Sequence, residues 1–162
     1  SARDFAWNCV DSEQVRMMRV TLAVLLVGMT FVCGCARFRP PRGVKPQAAT
    51  LLTTGYCRCG KCCSWKRNWL LRPVYSSGRR KGKVKKVGVT ASGTKARKGT
   101  IAADTRKFPF GTIMYIEGYG YGRVEDRGGA IKGNHIDLYF RTHQQALEWG
   151  RRNKRVRVWL PK

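Results

Sequence analysis

The sequence is short of acid. Nine Asp and Glu stand against 33 Lys and Arg in 162 residues, leaving a formal net charge of +24. Residues 51–162 hold six of those acids against 26 basic residues, an excess of 20 positive charges. A field of one sign favours a polyanionic partner or surface. It also makes each remaining carboxylate of that region conspicuous: Asp104, Glu117, Glu125, Asp126, Asp137 and Glu148. Long apolar runs are missing too. Residues 20–32 carry no charge but number only thirteen, fewer than the ~18 that mark a membrane-spanning helix. Nucleotide-binding signatures are absent: Gly118-x-Gly120-x-Gly122 lacks strand–turn–helix context, and Gly93…Gly99-Thr100 lacks the Gly-Lys-Ser/Thr of a phosphate loop. No Ser/His/Asp set stands in a recognisable context. There is no internal repeat and no long alternation of helices and strands, which argues against a doubly wound α/β fold. Hydrophobic residues make up 43% of the chain, enough for a packed core, so the chain is not a disordered one.

Arg16-Met17-Met18-Arg19 precedes the apolar run and Val32-Cys33-Gly34-Cys35 follows it. A basic start, a short apolar stretch and small residues at a cut site make a secretory signal. Gly34-Cys35 resembles a lipoprotein box, with Cys35 the lipidated residue; a plain signal peptide cut elsewhere is the alternative. Residues 1–16 fit no export signal and read as an over-extended gene start before Met17 or Met18. Residues 36–50, with Pro40, Pro41, Pro46 and four basic residues, read as a tether. The folded domain is expected over residues 51–162, with an insert at 57–86. An export signal argues against nucleic acid as the polyanion. The run Arg79-Arg80-Lys81-Gly82-Lys83-Val84-Lys85-Lys86 reads as a solvated loop suited to an anionic wall or lipid surface. The expected location is the periplasm or, because Ala36 rather than Asp follows Cys35, the outer membrane.

Export bears on the cysteines. Cys57, Cys59, Cys62 and Cys63 form C-x-C-x-x-C-C. In an oxidising compartment the expectation is two disulfides. Zinc is the alternative, since Cys59-x-x-Cys62 has ligand spacing, but no second C-x-x-C or His pair lies downstream.

From Lys86 onward the chain reads as short strands with turns between them: residues 87–91, 100–104, 112–116, 121–126, 135–140 and 155–160. One helix is expected at about 142–151, with Thr142 as N-cap and Ala146, Leu147 and Trp149 facing the core. Six or seven short strands and one helix indicate a mainly β, small closed barrel. Strand alternation puts Ile136, Leu138 and Phe140 on the core face and His135, Asp137 and Tyr139 on the other. Val156, Val158 and Leu160 should likewise point inward. Asp104 and Asp126 each end an apolar strand, and Asp126 precedes Gly128-Gly129, a turn that lets backbone approach a ligand. Each Asp also reads as a turn or cap residue.

Four segments together resemble the three-aspartate (3D) domain. They are Gly99-Thr100-Ile101-Ala102-Ala103-Asp104, Phe108-Pro109-Phe110-Gly111-Thr112, Gly118-Tyr119-Gly120 and Asp126-Arg127-Gly128-Gly129-Ala130-Ile131-Lys132-Gly133-Asn134-His135-Ile136-Asp137-Leu138-Tyr139-Phe140. The same arrangement resembles the catalytic barrel of membrane-bound lytic transglycosylase A. The resemblance implies a six-stranded double-psi β-barrel and the three family aspartates at Asp104, Asp126 and Asp137. It implies cleavage of the peptidoglycan bond between N-acetylmuramic acid and N-acetylglucosamine, with the sugar's own 6-hydroxyl attacking to leave a 1,6-anhydromuramyl end. Asp137 would be the general acid and then the base, with Asp126 beside it. Lys132 and the amides of Gly128 and Gly129 would hold acetamido or hydroxyl groups, with Thr90 a further contact. Relatives often carry Thr at Arg127. Trp65 and Trp69 in the insert, and Tyr119 and Tyr121, either stack on sugar rings or pack the domain's own edge. His143 reads as a surface residue early in its helix. No cofactor is called for and a monomer is expected. A non-catalytic glycan-binding, wall-anchoring barrel is the competing function; three aspartates together favour the enzyme.

Overall fold

The computed structural model describes residues 38–161; the export signal, Cys35 and the start of the tether lie outside the described residues. The order is β1 (Gln47–Tyr56), α1 (Gly60–Cys63), β2 (Trp65–Arg67), β3 (Pro73–Tyr75), β4 (Thr100–Ala103), β5 (Ile113–Ile116), β6 (Gly120–Asp126), β7 (His135–Tyr139), α2 (His143–Trp149) and β8 (Arg152–Trp159). Six strands close a barrel in the order β1-β7-β4-β6-β5-β8, while β2 and β3 form a separate two-stranded sheet. β1 and β7 run parallel, as do β4 and β6; the remaining pairs are antiparallel. No described helix is long and apolar enough to cross a membrane.

Alternation along the strands fills the barrel. Leu51, Ile101, Ala103, Met114, Ile116, Val124, Ile136, Leu138, Val156 and Val158 form one buried cluster. Each fully buried aliphatic side chain contributes about 1.5–3 kcal/mol. At one end α2 packs its Ala146 and Trp149 inward. Its start is fixed by a capping box, with Thr142 accepting from the Gln145 amide and the Gln145 side chain accepting from the Thr142 amide. Gly55 lets the helix lie on β1, since a Cβ there would come 2.8 Å from the Ala146 carbonyl oxygen. Trp149 Nε1 donates to the buried Thr53 hydroxyl at 3.1 Å.

Several expectations are corrected. Residues 87–91 make no strand; the loop holds one isolated bridge, Val89 to Lys95, and its backbone is left-handed at Gly88 and Gly93. β1 opens at Gln47, inside the segment read as tether, because backbone pairing with β8 needs no apolar side chain there. β8 opens at Arg152 for the same reason. Beside α2 stands α1, a second and even shorter helix. Leu147 is exposed, since a two-turn helix buries only one stripe, and Leu160 is exposed because β8 ends before it.

Candidate active site

Four residues stand in a row across adjacent strands. Thr54 of β1 is in register with Asp137 of β7, Asp137 with Ala102 of β4, and Ala102 with Asp126 of β6. Neighbouring strands lie ~4.8 Å apart, so the two aspartates are two strands apart with only a methyl group between them. Asp137 faces away from the core because its neighbours Ile136 and Leu138 face into it. Asp126 reaches the same face through an irregularity. Ile101 pairs with Val124, but Ala102 pairs with Asp126, so Glu125 is the extra residue of a β-bulge. The bulge reverses the facing of the next residue; in regular register Glu125 would stand beside Ala102. Glu125 is instead buried, accepting from Thr100 Oγ1 at 2.8 Å and Arg123 Nε at 3.0 Å.

The two carboxylates have different surroundings. Asp137 Oδ1 accepts from Thr54 Oγ1 at 2.8 Å, and that hydroxyl also lies 2.9 Å from His135 Nε2. Burial first, and the Asp126 charge as well, push Asp137 up to about 6 against the downward pull of the Thr54 hydrogen bond. Burial and Arg151 hold His135 below the usual imidazole range. Asp126 Oδ1 accepts from the amides of Ala91 and Arg127, both at 2.9 Å. Its Oδ2 accepts from the Tyr56 hydroxyl at 3.3 Å. Burial and the Asp126 charge raise the Tyr56 phenol far above its ordinary range, so it remains a donor. The Tyr56 ring is held edge-on against Tyr139, centroids 5.4 Å apart. One carboxyl that exchanges its proton near pH 6 thus stands beside another pinned by two amides and a phenol. That pairing suits general acid–base chemistry.

Asp104 does not join the pair. Its Oδ1 accepts from Arg106 N and Nε, and its Oδ2 from Arg106 Nη2 and the Gly133 amide. The Arg106 guanidinium, then the Gly133 amide, hold it well below the carboxylate range, so it cannot deliver a proton. It anchors the loop that returns to β7.

The other expected contacts divide. Tyr119 is corrected: it is buried among Phe140 and Trp149, and its hydroxyl donates to the Tyr139 carbonyl at 2.8 Å and accepts from the Gly99 amide at 3.0 Å. Trp65 is half-buried with its indole N–H on the Arg58 carbonyl at 2.9 Å, packing the insert itself, whereas Trp69 is 87% exposed. Thr90 is buried in a turn with Ser92 and Thr94, which presents the Ala91 amide to Asp126. Gly128 leaves room for Ile131, while Gly129 and exposed Lys132 stand free. A surface hollow of about 610 Å³ lies beside α2 among Arg141, Trp149, Arg152 and Lys154 and includes none of the three aspartates.

The disulfides expected in the C-x-C-x-x-C-C segment are not formed: Cys57, Cys59, Cys62 and Cys63 are all free thiols. Three of them instead face His143 Nδ1, at 4.0 Å from Cys57, 3.6 Å from Cys59 and 3.4 Å from Cys62. His143 is therefore no bland surface residue. Its distance in sequence hid it: the parallel pairing of β1 and β7 brings the segments after them together at one barrel end. Sequence patterns also miss Thr54 and Tyr56. Nothing in the run Thr53-Thr54-Gly55-Tyr56 marks them as site residues.

Residues 99–162 match the family model of the 3D domain. The matched segment holds Asp104, Asp126 and Asp137 but not Thr54, Tyr56 or the cysteines. Among curated proteins, the cell wall-binding protein YocH of Bacillus subtilis (strain 168) is 41% identical over 75 residues, covering 44% of this chain and 26% of YocH. The chain thus spans about a quarter of that relative's length. Among solved structures, E. coli MltA with bound chitohexaose is similar with a TM-score of 0.38 at 24% identity, over 45% of this chain and 28% of MltA. A second MltA crystal structure, described as a unique lytic transglycosylase fold, has the same TM-score and identity over 46% and 28%.

Proposed function

We propose that this protein is an exported lytic transglycosylase that cleaves the N-acetylmuramic acid–N-acetylglucosamine bond of peptidoglycan, with Asp137 as its acid and base. The observation that carries the reading is the half-buried Asp137 carboxyl, raised to about 6 and set one small residue away from Asp126. Asp137 protonates the bridging oxygen as the bond to C1 breaks. Positive charge then develops at C1, and the Asp126 carboxylate on the same face stabilises it. The 6-hydroxyl of the same sugar attacks C1 and returns its proton to Asp137. The ring closes as the 1,6-anhydro product, the neighbouring sugar leaves with a free hydroxyl, and no water is consumed. Ordinary glycosidases place two carboxylates around a water or a covalent intermediate; an internal nucleophile leaves one group to do both proton transfers. Tyr56 holds Asp126, Thr54 orients Asp137, and the Gly129 and Lys132 loop is open to acetamido groups. Exposed Trp69 is the insert's stacking surface. Two parallel strand pairs within a closed six-stranded barrel agree with the double-psi description. Lipidation at Cys35 and outer-membrane delivery belong to the same reading.

The test is digestion of purified sacculi with mass analysis of released muropeptides. Anhydromuramyl ends, absent with Asp137→Asn, are the expected result. A second reading, glycan binding without cleavage, is favoured by the similarity to YocH, which is named a cell wall-binding protein. Retention on sacculi with no anhydro product at any pH would establish it in place of the first.

A further inference from the structure

We infer that Cys57, Cys59, Cys62 and His143 bind one structural zinc ion that clamps the insert to the barrel. Each residue offers one ligand atom, and all four atoms lie within 4.8 Å of one another. Zinc binds thiolate at ~2.3 Å and imidazole at ~2.0–2.1 Å, so a tetrahedron requires about 3.8 Å between sulfurs and about 3.5 Å from sulfur to nitrogen. Cys57 and Cys62 sulfurs are 3.8 Å apart, and the three sulfurs lie 3.4–4.0 Å from His143 Nδ1. A disulfide would need sulfurs at ~2.05 Å. The spacing is therefore that of ligands around a shared ion, with no bridge between them.

The local fold supports the same reading. The Cys59 amide donates to Cys57 Sγ and the Cys62 amide to Cys59 Sγ, both at 3.4 Å. Cys59 is the N-cap of α1, which sets Cys62 back toward it one turn later. His143 is the first residue of α2, fixed by the Thr142 capping box. Cys63 is different. Its sulfur donates to the Cys57 carbonyl at 3.1 Å, and its side chain packs against the Tyr56, Ala102 and Tyr139 cluster. The fourth cysteine of the motif is thus a packing residue and the fourth ligand is a histidine more than eighty positions away. Three thiolates and one neutral imidazole fill all four positions, which is a closed, structural set without an open place for substrate. With zinc bound the site carries a charge of −1, tolerated in a chain of net charge +24. Coordination also keeps three thiols from oxidation in an oxidising compartment. The clamp joins the ends of β1 and β7, the strands that carry Tyr56 and Asp137. It follows from the cluster alone and does not depend on the proposed cleavage.

The full chain, purified from zinc-supplemented cells, should contain one zinc per molecule by elemental mass spectrometry. Cobalt substitution should give the charge-transfer bands of a tetrahedral thiolate-rich site. Native alkylation should label Cys57, Cys59 and Cys62 only after a chelator is added, and chelation should lower the melting temperature. Cys63→Ser should retain the full equivalent of metal, while Cys59→Ser and His143→Ala should lose it. Wild-type protein without bound metal overturns the inference, whether its cysteines are then disulfide-bonded or free. Metal that survives His143→Ala but is lost with Cys63→Ser overturns the ligand assignment. These readouts are independent of whether sacculi are cleaved.

Discussion

Replacing Asp137 by Asn should make the protein more stable at neutral pH while removing its activity. The carboxyl rises from an ordinary value of 3.8 to about 6 on folding, chiefly through burial. A carboxyl raised by folding stabilises the native state fully below its unfolded value, and that contribution is lost as pH climbs through the folded value. At neutral pH the native protein therefore bears a penalty, because the unfolded chain ionises more easily. Each tenfold change in proton affinity corresponds to about 1.36 kcal/mol, so the penalty approaches ~3 kcal/mol. Asn carries no charge and still accepts from Thr54 through its side-chain oxygen. Facing away from Ile136 and Leu138, it opens no cavity. The variant should gain about 1–3 kcal/mol near pH 7.5, equivalent to roughly 5–15 °C in melting temperature for a domain of this size. Near pH 3.5 most of the gain should vanish, since Asp137 is then largely protonated in both states. Anhydromuropeptide release should fall by the upper part of the ~10²–10⁴ range for general acid–base catalysis. Parallel thermal melts at the two pH values, with sacculus digestion of the same preparations, measure both effects. A variant no more stable than wild type near pH 7.5, or equally stabilised at both pH values, would refute the placement of Asp137 as a buried, raised carboxyl.

Asp126→Asn removes a charge that helps raise Asp137, so the pH–activity profile should move toward acid and the rate at neutral pH should fall by roughly 2–10-fold; an unmoved profile argues against coupling between the two. Tyr56→Phe deletes the hydrogen bond to Asp126 while keeping the ring against Tyr139. A loss of about 0.5–1.5 kcal/mol of hydrogen bonding should appear as a ~2–10-fold lower rate with a native circular dichroism spectrum. Gly122→Ala would place its Cβ 2.7 Å from both the Gly99 carbonyl oxygen and Ile101 Cδ1. Urea titration should show it destabilised by about 1–3 kcal/mol.

Much of the barrel was legible because its strands obey one rule. β5 and most of β7 set buried residues at alternate positions, and β4 and β6 are short runs bounded, like them, by glycine-containing turns, and pattern finds such strands. The rule fails where pairing is made by backbone alone. The start of β1, Gln47-Ala48-Ala49-Thr50, is mostly exposed, and so is the start of β8, Arg152-Asn153-Lys154-Arg155. The first pairs with residues 155–158 of β8 and the second with residues 50–53 of β1, backbone to backbone. Hydropathy carries no trace of this, and three nearby prolines made the first of them look like a tether. Residues 87–91 err the other way: Val87 and Val89 have strand-like side chains, yet Gly88 takes a left-handed backbone that breaks the run.

The site divides along the same line. Asp137 could be placed by alternation alone, because Ile136 and Leu138 fix which way it faces. Asp126 could not, since counting by twos along β6 puts it with Val124 in the core and only the bulge at Glu125 turns it outward. What ranked it was the family motif, which treats Asp104, Asp126 and Asp137 alike. The structure separates them by partner: a guanidinium for Asp104, amides and a phenol for Asp126, one hydroxyl and burial for Asp137. A proton donor needs the last of these environments, because an arginine fork holds a carboxylate ionised. Motif membership therefore identifies which positions carry acids, but the surroundings of each decide which acid can hold a proton: Arg106 keeps Asp104 ionised, while burial raises Asp137. β1 leads into the cysteine cluster, whose histidine lies beyond β7. Both sites depend on the parallel pairing of β1 and β7, a contact between segments some eighty residues apart that no local pattern in either one announces.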